Sequence, residues 1–293
     1  MAKSGRGPVP GPASGGPKGT KGKSGKGGRA SVAAARRSSG DRTQLIIGGV
    51  AIVVIIAVIA IGLVLHSRNT AQQGAGYGTS TKSVATMDAN GVITVTPVGN
   101  GSPGVVLDVY EDALCPLCAD FEHQFGQQIA KAVDDGQLGL HYRMVDFLDG
   151  SSHSGTYSTR AYGALMAVAK GDGSKPGGFM AFHTAIYDAK NQPKENGSTD
   201  LSNAELAKLA GQVGASAATQ KQISDGADVE AAQKDAQTNL TSLTDVAAKV
   251  GRQAGTPTVA KDGVPLNTND VNWLTNLLPK SGSSSPAPTS SGS

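Results

Sequence analysis

The chain has 293 residues, with 26 Lys/Arg against 23 Asp/Glu and a net charge of +3. The charge is unevenly distributed, because residues 1–42 hold ten of the basic residues and a single acid, Asp41. From residue 69 onward there are 15 basic and 22 acidic residues, a net charge of −7. A nucleic-acid surface would need a basic stripe in the folded part, so we expect no nucleic-acid partner.

The N-terminal third begins with a segment that cannot fold alone. Residues 1–44 carry few large apolar side chains and are predicted to be disordered, because they cannot offset the entropy of ordering. Residues 45–65 then form an unbroken run of 21 apolar or glycine residues. At about 1.5 Å per residue, a helix of this length matches a hydrocarbon core of roughly 30 Å. We expect a transmembrane helix; late cleavage after Ala71 or Ala75, as in a signal peptide, is the alternative.

Basic residues predict the orientation of this span. Ten precede it, whereas only Arg68 closely follows it. The positive-inside rule therefore places the N-terminus in the cytoplasm and residues 66–293 outside a cell membrane crossed once. The basic tail is interpreted as this topology signal alone or as a segment that also binds anionic lipids.

The remaining chain is predicted to hold one folded domain. Residues 66–90 are rich in Gly, Ser and Thr and indicate a tether, and the low-complexity residues 280–293 indicate a second disordered tail. The domain would then cover 91–279, which is long enough for one substantial core.

The first half of the domain alternates strands with a helix. Residues 92–98 alternate in strand fashion, and the β-branched run 105–110 indicates a buried central strand. Apolar residues at helical spacing follow over 118–134, and 138–145 indicates the next strand. This order predicts a parallel βαβ unit with a right-handed crossover.

The second half is predicted to be a helical block followed by the rest of the sheet. Residues 155–250 indicate almost continuous helix, including a capping box at Ser202 and Glu205. Short strands at 258–259 and 264–266 flank a turn, and a last helix covers 269–278. The fold class is therefore α/β, with a helical insertion between two halves of a sheet. Its predicted helices are 159–170, 178–188, 202–213 and 228–250, with Phe179 and Phe182 in the core.

The chain has two cysteines, Cys115 and Cys118, three residues apart. A structural zinc site needs four ligands, and neither a second cysteine pair nor histidines at ligand spacing are present. A structural disulfide across so small a loop would remove little chain entropy. Redox chemistry is the interpretation that remains, and it requires neither a metal nor another cofactor.

The pair follows the central strand and opens a helix. At a helix N-terminus, backbone N–H groups and the helix dipole favour a thiolate, so Cys115 is the expected exposed nucleophile. Cys118, one turn further, would be more buried and would resolve the mixed disulfide. Pro116 suits the first helical turn. Leu117 adds no positive charge, so the redox potential stays open.

A CPxC motif at a helix start, a helical insertion and the late segment Gly255-Thr256-Pro257-Thr258-Val259 together resemble the thioredoxin superfamily, and in particular its DsbA-like branch. The resemblance covers about 91–279. It implies a cis Thr256–Pro257 bond in a loop that lies against the cysteines. It also implies that the Thr256 backbone pairs with a substrate strand.

The same resemblance implies a buried acid beneath the cysteines that accepts a proton. Asp108, within the apolar run VVLDVY, is the candidate; a plain strand-end position is the alternative. Glu111 and Asp112 are interpreted as solvated loop residues. The histidines are interpreted as surface residues, His183 among them.

Three functions compete. The first is an oxidase that introduces disulfides into unfolded or reduced exported proteins and is reoxidised by a membrane redox partner. The second is a reductase or isomerase of the same fold, and the third is a non-catalytic thioredoxin-like module that binds an envelope partner. The sequence shows no dimerisation domain between tether and fold, so a monomer is expected.

Overall fold

The computed structural model of the chain describes residues 77–99 and 102–279. The expected basic tail, membrane span and C-terminal tail lie outside these residues, as does the first part of the expected tether. Among the described helices, none combines the length and the apolar character that a membrane crossing requires.

In the described residues, six strands form one mixed sheet in the order β1-β2-β4-β3-β5-β6. β3 pairs in parallel with β4, with Val105 opposite Leu138, and the other neighbouring pairs are antiparallel. The predicted central strand and the parallel βαβ unit are therefore confirmed. The strands are β1 (Ser83–Met87), β2 (Ile93–Pro97), β3 (Val105–Glu111), β4 (Leu138–Met144), β5 (Thr258–Lys261) and β6 (Val264–Pro265).

Of the helices in the described ranges, one connects β3 to β4, five form the insertion before β5, and one follows β6. The α/β fold with a helical insertion is confirmed. The block is less continuous than expected, because residues 188–202 are not helical. The capping box of Ser202 and Glu205 is present. The helices are α1 (Pro116–Asp134), α2 (Tyr157–Asp172), α3 (Gly178–Tyr187), α4 (Asn203–Gln212), α5 (Ala217–Asp225), α6 (Val229–Ala248) and α7 (Trp273–Leu277).

The folded domain begins earlier than predicted. Residues 83–87, expected to belong to a tether, form edge strand β1 along β2. The residues before β1 pack on α1: Thr81 and Lys82 donate backbone N–H bonds to Asp134, and a Cβ at Gly78 would lie 2.3 Å from Cα of Gln127. The tether prediction is thus wrong from residue 77. The strand Ser83–Met87 mixes small polar and apolar side chains, with Ser83 and Ala85 buried, and pairing with β2 stabilises it.

The last helix is held by an aromatic cluster against α1. Trp273 is buried, and its ring centroid lies 5.8 Å from that of Phe125 and 6.3 Å from that of Phe121. This contact fixes the strands that precede α7 to the helix that begins at the cysteines.

Replacing Trp273 with alanine is expected to lower the free energy of unfolding by about 3–5 kcal/mol, because the cavity would lie between α1 and α7. Urea denaturation of the full-length chain measures this. Val264→Ala, at a half-exposed position, is the control and should change stability by less than about 1 kcal/mol. Equal effects of the two substitutions would contradict the packing described.

Candidate active site

Cys115 occupies the N-cap of α1, in the loop that follows the central strand β3. Its backbone is extended (φ −66°, ψ 117°), and Pro116 is the first residue of the helix. The N–H groups of Cys118 and Ala119 donate to the Cys115 carbonyl at 3.1 and 3.3 Å. Proline fits at the first position because its missing N–H has no partner there in any case. The thiol therefore sits where the helix favours negative charge.

The two cysteines are free thiols with opposite electrostatic environments. A hydrogen bond from the Cys118 thiol lowers the pKa of Cys115 despite its burial, and contacts with the Thr256 side chain and with the backbone at Leu117 add to this. Burial, followed by the neighbouring Cys115, raises the pKa of Cys118 well above its usual value. The proton therefore leaves Cys115 first.

Burial at the pair differs in one respect from the sequence prediction. Cys115 was expected to be exposed, but only 5% of its surface is accessible, compared with 0% for Cys118. Leu117 between them is 50% exposed. Leu117 is therefore the more accessible residue for a reaction partner that approaches Cys115.

The loop before β5 lies against the first cysteine. The Thr256–Pro257 peptide bond is cis, as the resemblance implied. Cys115 Sγ lies 3.5 Å from the Thr256 carbonyl oxygen and donates to it. The structure therefore brings together the CPxC motif and the late Thr-Pro segment, which are 141 residues apart in sequence.

Asp108 does not lie beneath the cysteines, and its candidacy as the buried acid is wrong. It is in the middle of β3, and its carboxylate pairs with Arg143 Nε at 2.7 Å and with His141 Nδ1 at 3.5 Å, both on β4. Burial favours the neutral acid, but hydrogen bonds from His141 and Arg143 hold its pKa below the usual value. It is a structural ion pair across two strands.

The buried acids near Cys118 are Glu111 and Glu122, and sequence reasoning missed both. Glu111 was expected to be solvated but is fully buried at the end of β3, where its Oε2 lies 2.9 Å from His183 Nε2. Burial raises the pKa of Glu111 and of Glu122 to about 8. The charge of Glu111 in turn raises the pKa of Cys118. One signal was available: Cys118, Glu122 and Phe125 share the buried face of α1.

Asp112 was also expected to be solvated and is also fully buried. It accepts hydrogen bonds from the Ser158 hydroxyl on α2 and from the backbone N–H groups of Leu114 and Leu148. Because these partners come from three segments, Asp112 fixes the loop that carries Cys115 to the helical insertion.

Gln192, in the non-helical segment of the insertion, supports the same loop from another side. Its Nε2 donates to the Ala113 carbonyl at 3.1 Å and to the Cys115 carbonyl at 3.0 Å. No motif in the sequence marks this residue, because the contact joins positions 77 and 79 residues apart.

Gln192→Ala should destabilise the domain by about 1–2 kcal/mol and slow the reaction of Cys115 with a thiol-specific reagent or disulfide, because the Ala113 carbonyl loses its side-chain donor and the Cys115 carbonyl loses one of its three donors. The measurement pairs urea denaturation with stopped-flow alkylation of Cys115. The matched control is Gln233→Ala, since Gln233 is exposed on α6. A thiol reactivity equal to that of the control would show that Gln192 does not position the loop.

Comparisons with known proteins fit this arrangement. A family model described as Thioredoxin matches residues 93–278. The serine/threonine-protein kinase PknE of Mycobacterium tuberculosis is 35% identical over 181 residues, which are 62% of this chain and 31% of the kinase. The chain thus spans about a third of the length of that curated relative.

Two solved structures of MdbA, described as a thiol-disulfide oxidoreductase, share the fold. The protein from Corynebacterium diphtheriae is 23% identical with a TM-score of 0.56, covering 68% of this chain and 95% of its own. The protein from Corynebacterium matruchotii is 24% identical with a TM-score of 0.58, covering 68% and 94%.

Proposed function

Because the chain belongs to the thioredoxin family, we propose that its domain is a DsbA-like thiol–disulfide oxidoreductase that introduces disulfides into exported proteins. One observation carries the proposal. The Cys115 thiol sits at the start of α1, 3.5 Å from the carbonyl of Thr256, with Cys118 buried beneath it. A low-pKa thiol beside a backbone carbonyl that can pair with a client strand can hold this strand and exchange disulfides with it.

The exchange proceeds in two displacements. A client thiolate attacks Cys115 Sγ of the Cys115–Cys118 disulfide, and Cys118 leaves as a thiolate with the electron pair of the broken bond. A second client thiolate then attacks the client sulfur of the mixed disulfide and releases the Cys115 thiolate. The client loses two electrons, and the cysteine pair gains them. Pro257 and Thr256 position the client backbone beside Cys115.

The lowered pKa of Cys115 favours this direction. A stabilised Cys115 thiolate is a good leaving group in the second displacement, and it stabilises the reduced protein relative to the disulfide. Glu111 takes the place of Asp108 as the buried acid, and it is the group positioned to supply a proton to the Cys118 thiolate.

The setting of the reaction is part of the same proposal. The apolar run 45–65, with ten basic residues before it, supports a single-pass membrane anchor with a cytoplasmic N-terminus and an extracytoplasmic domain. Clients are unfolded or reduced exported proteins, a membrane protein reoxidises the cysteine pair, and the chain acts as a monomer.

Equilibration of the full-length chain in glutathione buffers tests the oxidase function. The fraction of Cys115–Cys118 disulfide, read by thiol alkylation, gives the reduction potential. A value near the roughly −120 mV of a strong oxidant is expected. A value near the roughly −270 mV of thioredoxin would instead favour the reductase or isomerase.

A further inference from the structure

A buried cluster of three titratable side chains lies next to the cysteine pair. Glu111 comes from the end of β3, Glu122 from α1 and His183 from α3. One carboxylate oxygen of each glutamate and one ring nitrogen of His183 all lie within 4.8 Å of one another. Glu111 and His183 are 0% exposed and Glu122 is 2% exposed. The three residues are called the acid cluster below.

The acid cluster has polar atoms without partners. Oε1 of Glu111, Oε1 of Glu122 and Nδ1 of His183 are buried and make no hydrogen bond. Among the described residues, the only ion pair of either glutamate is the one between Glu111 and His183. Within the part of the chain that the structure describes, neither a lysine nor an arginine therefore balances the two carboxyl groups.

Two carboxylates so close together in a low-dielectric site cannot both be ionised at neutral pH. They must hold at least one proton, and that proton belongs to the pair rather than to either residue. The groups that face the acid cluster from the packed elements cannot supply a countercharge. They are Cys118 on α1, Tyr142 on β4 and Tyr187 on α3. The ring centroid of Tyr142 lies 4.2 Å from that of His183, and the ring centroid of Tyr187 lies 5.1 Å from it.

The acid cluster is coupled to the resolving cysteine. The charge of Glu111 acts on Cys118, and the charges of both Glu111 and Cys118 act on Tyr187. A negative charge that appears on Cys118 therefore destabilises a negative charge on the acid cluster. This repulsion is smallest when a proton lies between Cys118 and the cluster.

We propose that Glu122 and His183 are positioning residues for the exchange reaction: with both carboxyl groups of the acid cluster protonated, the cluster passes one proton to Cys118 when this sulfur leaves the disulfide, and the other proton stays shared between Glu111 and Glu122. The inference rests on the proposed function. The electrons come from the client thiolates, so the cluster moves a proton only. Its remaining negative charge is spread over two carboxyl groups and stabilised by the N–H of His183. When the pair is reoxidised, the Cys118 proton returns to the cluster.

Redox-difference infrared spectroscopy and ¹⁵N NMR spectroscopy of the full-length chain test this. Reduction of Cys115–Cys118 should change the carbonyl stretch of a protonated carboxyl group in the infrared spectrum. It should also shift the ring ¹⁵N resonances of His183 in the NMR spectrum. Glu122→Gln should alter both changes and slow client oxidation by roughly tenfold at neutral pH, less than the ~100-fold or more of a direct proton donor. His183→Gln keeps a hydrogen-bond donor toward Glu111 but does not titrate. It should therefore abolish the part of the pH dependence of the client-oxidation rate that His183 contributes. Circular dichroism should show an intact fold.

Glu195→Gln is the matched control, because Glu195 is exposed and outside the acid cluster. Identical carboxyl and His183 signals in the two redox states would overturn the inference, as would an unchanged rate in Glu122→Gln. One bound equivalent of zinc or manganese in the purified protein, lost in His183→Gln, would also overturn it by assigning the cluster to a metal. In each of these outcomes the wild-type chain still exchanges disulfides with the client. Failure of the proposed function is different, because the wild-type chain itself would then not exchange disulfides.

Discussion

Client oxidation should fall to the uncatalysed rate when Cys115 is replaced with serine. Cys115 Sγ is the atom that the client attacks, and a serine hydroxyl can neither form a disulfide with Cys118 nor leave as a thiolate. The measurement is the refolding of a reduced, unfolded client by the full-length chain, together with the reduction of insulin. Because serine is close in size to cysteine and the site is an N-cap, the fold should be retained, and circular dichroism checks this.

Cys118→Ser separates the two cysteine roles. The Cys115 thiolate of this variant should attack a disulfide in an oxidised client and expel one client sulfur as a thiolate, which leaves a mixed disulfide that Cys118 can no longer resolve. A covalent adduct with the client should therefore accumulate and disappear on treatment with dithiothreitol. A Cys115→Ser variant that retains the wild-type rate would support the non-catalytic interaction module in place of the enzyme.

The cysteine pair could be predicted from the sequence because its signals are local. A CPxC motif needs only a strand before it and a helix after it, and both are evident in the apolar patterns around Cys115 and Cys118. The distant Thr256–Pro257 segment required the resemblance to a family, since a Gly-Thr-Pro-Thr sequence alone is an ordinary turn.

The surroundings of the pair could not be predicted in the same way, because they depend on which strands and helices meet. Asp108 lies in an apolar run but points to Arg143 on β4, whereas Glu111 looks like a loop residue and is covered by α3. His183 becomes part of the site only because α3 packs over the end of β3. β1 was missed for a related reason: its five residues, which mix small polar and apolar side chains, become a strand only through pairing with β2.

Glu111 should also make the stability of the reduced protein depend on pH. Burial raises the pKa of Glu111 from 4.5 to about 8. Between these values the folded protein holds a proton that the unfolded chain has lost, so the free energy of unfolding falls as pH rises. The stabilisation is complete below about pH 4.5 and is lost as pH rises through about 8. Glu122, with a similar shift, acts in the same direction.

Glu111→Gln should therefore flatten this dependence and make the reduced protein more stable than wild type near pH 8, by roughly 1–3 kcal/mol. Glutamine is similar in size, carries no charge and can still hydrogen-bond His183 Nε2, so the buried site tolerates it. The measurement is urea denaturation of the full-length reduced chain at several pH values between 5 and about 9. Glu195→Gln should leave the wild-type slope unchanged, and an unchanged slope in Glu111→Gln would show that Glu111 is ionised in the folded protein.

Glu111→Gln should also slow client oxidation, because the Cys118 thiolate loses its proton source. Greater stability together with lower activity is the combination expected of an acid that is kept buried for its chemistry rather than for the fold.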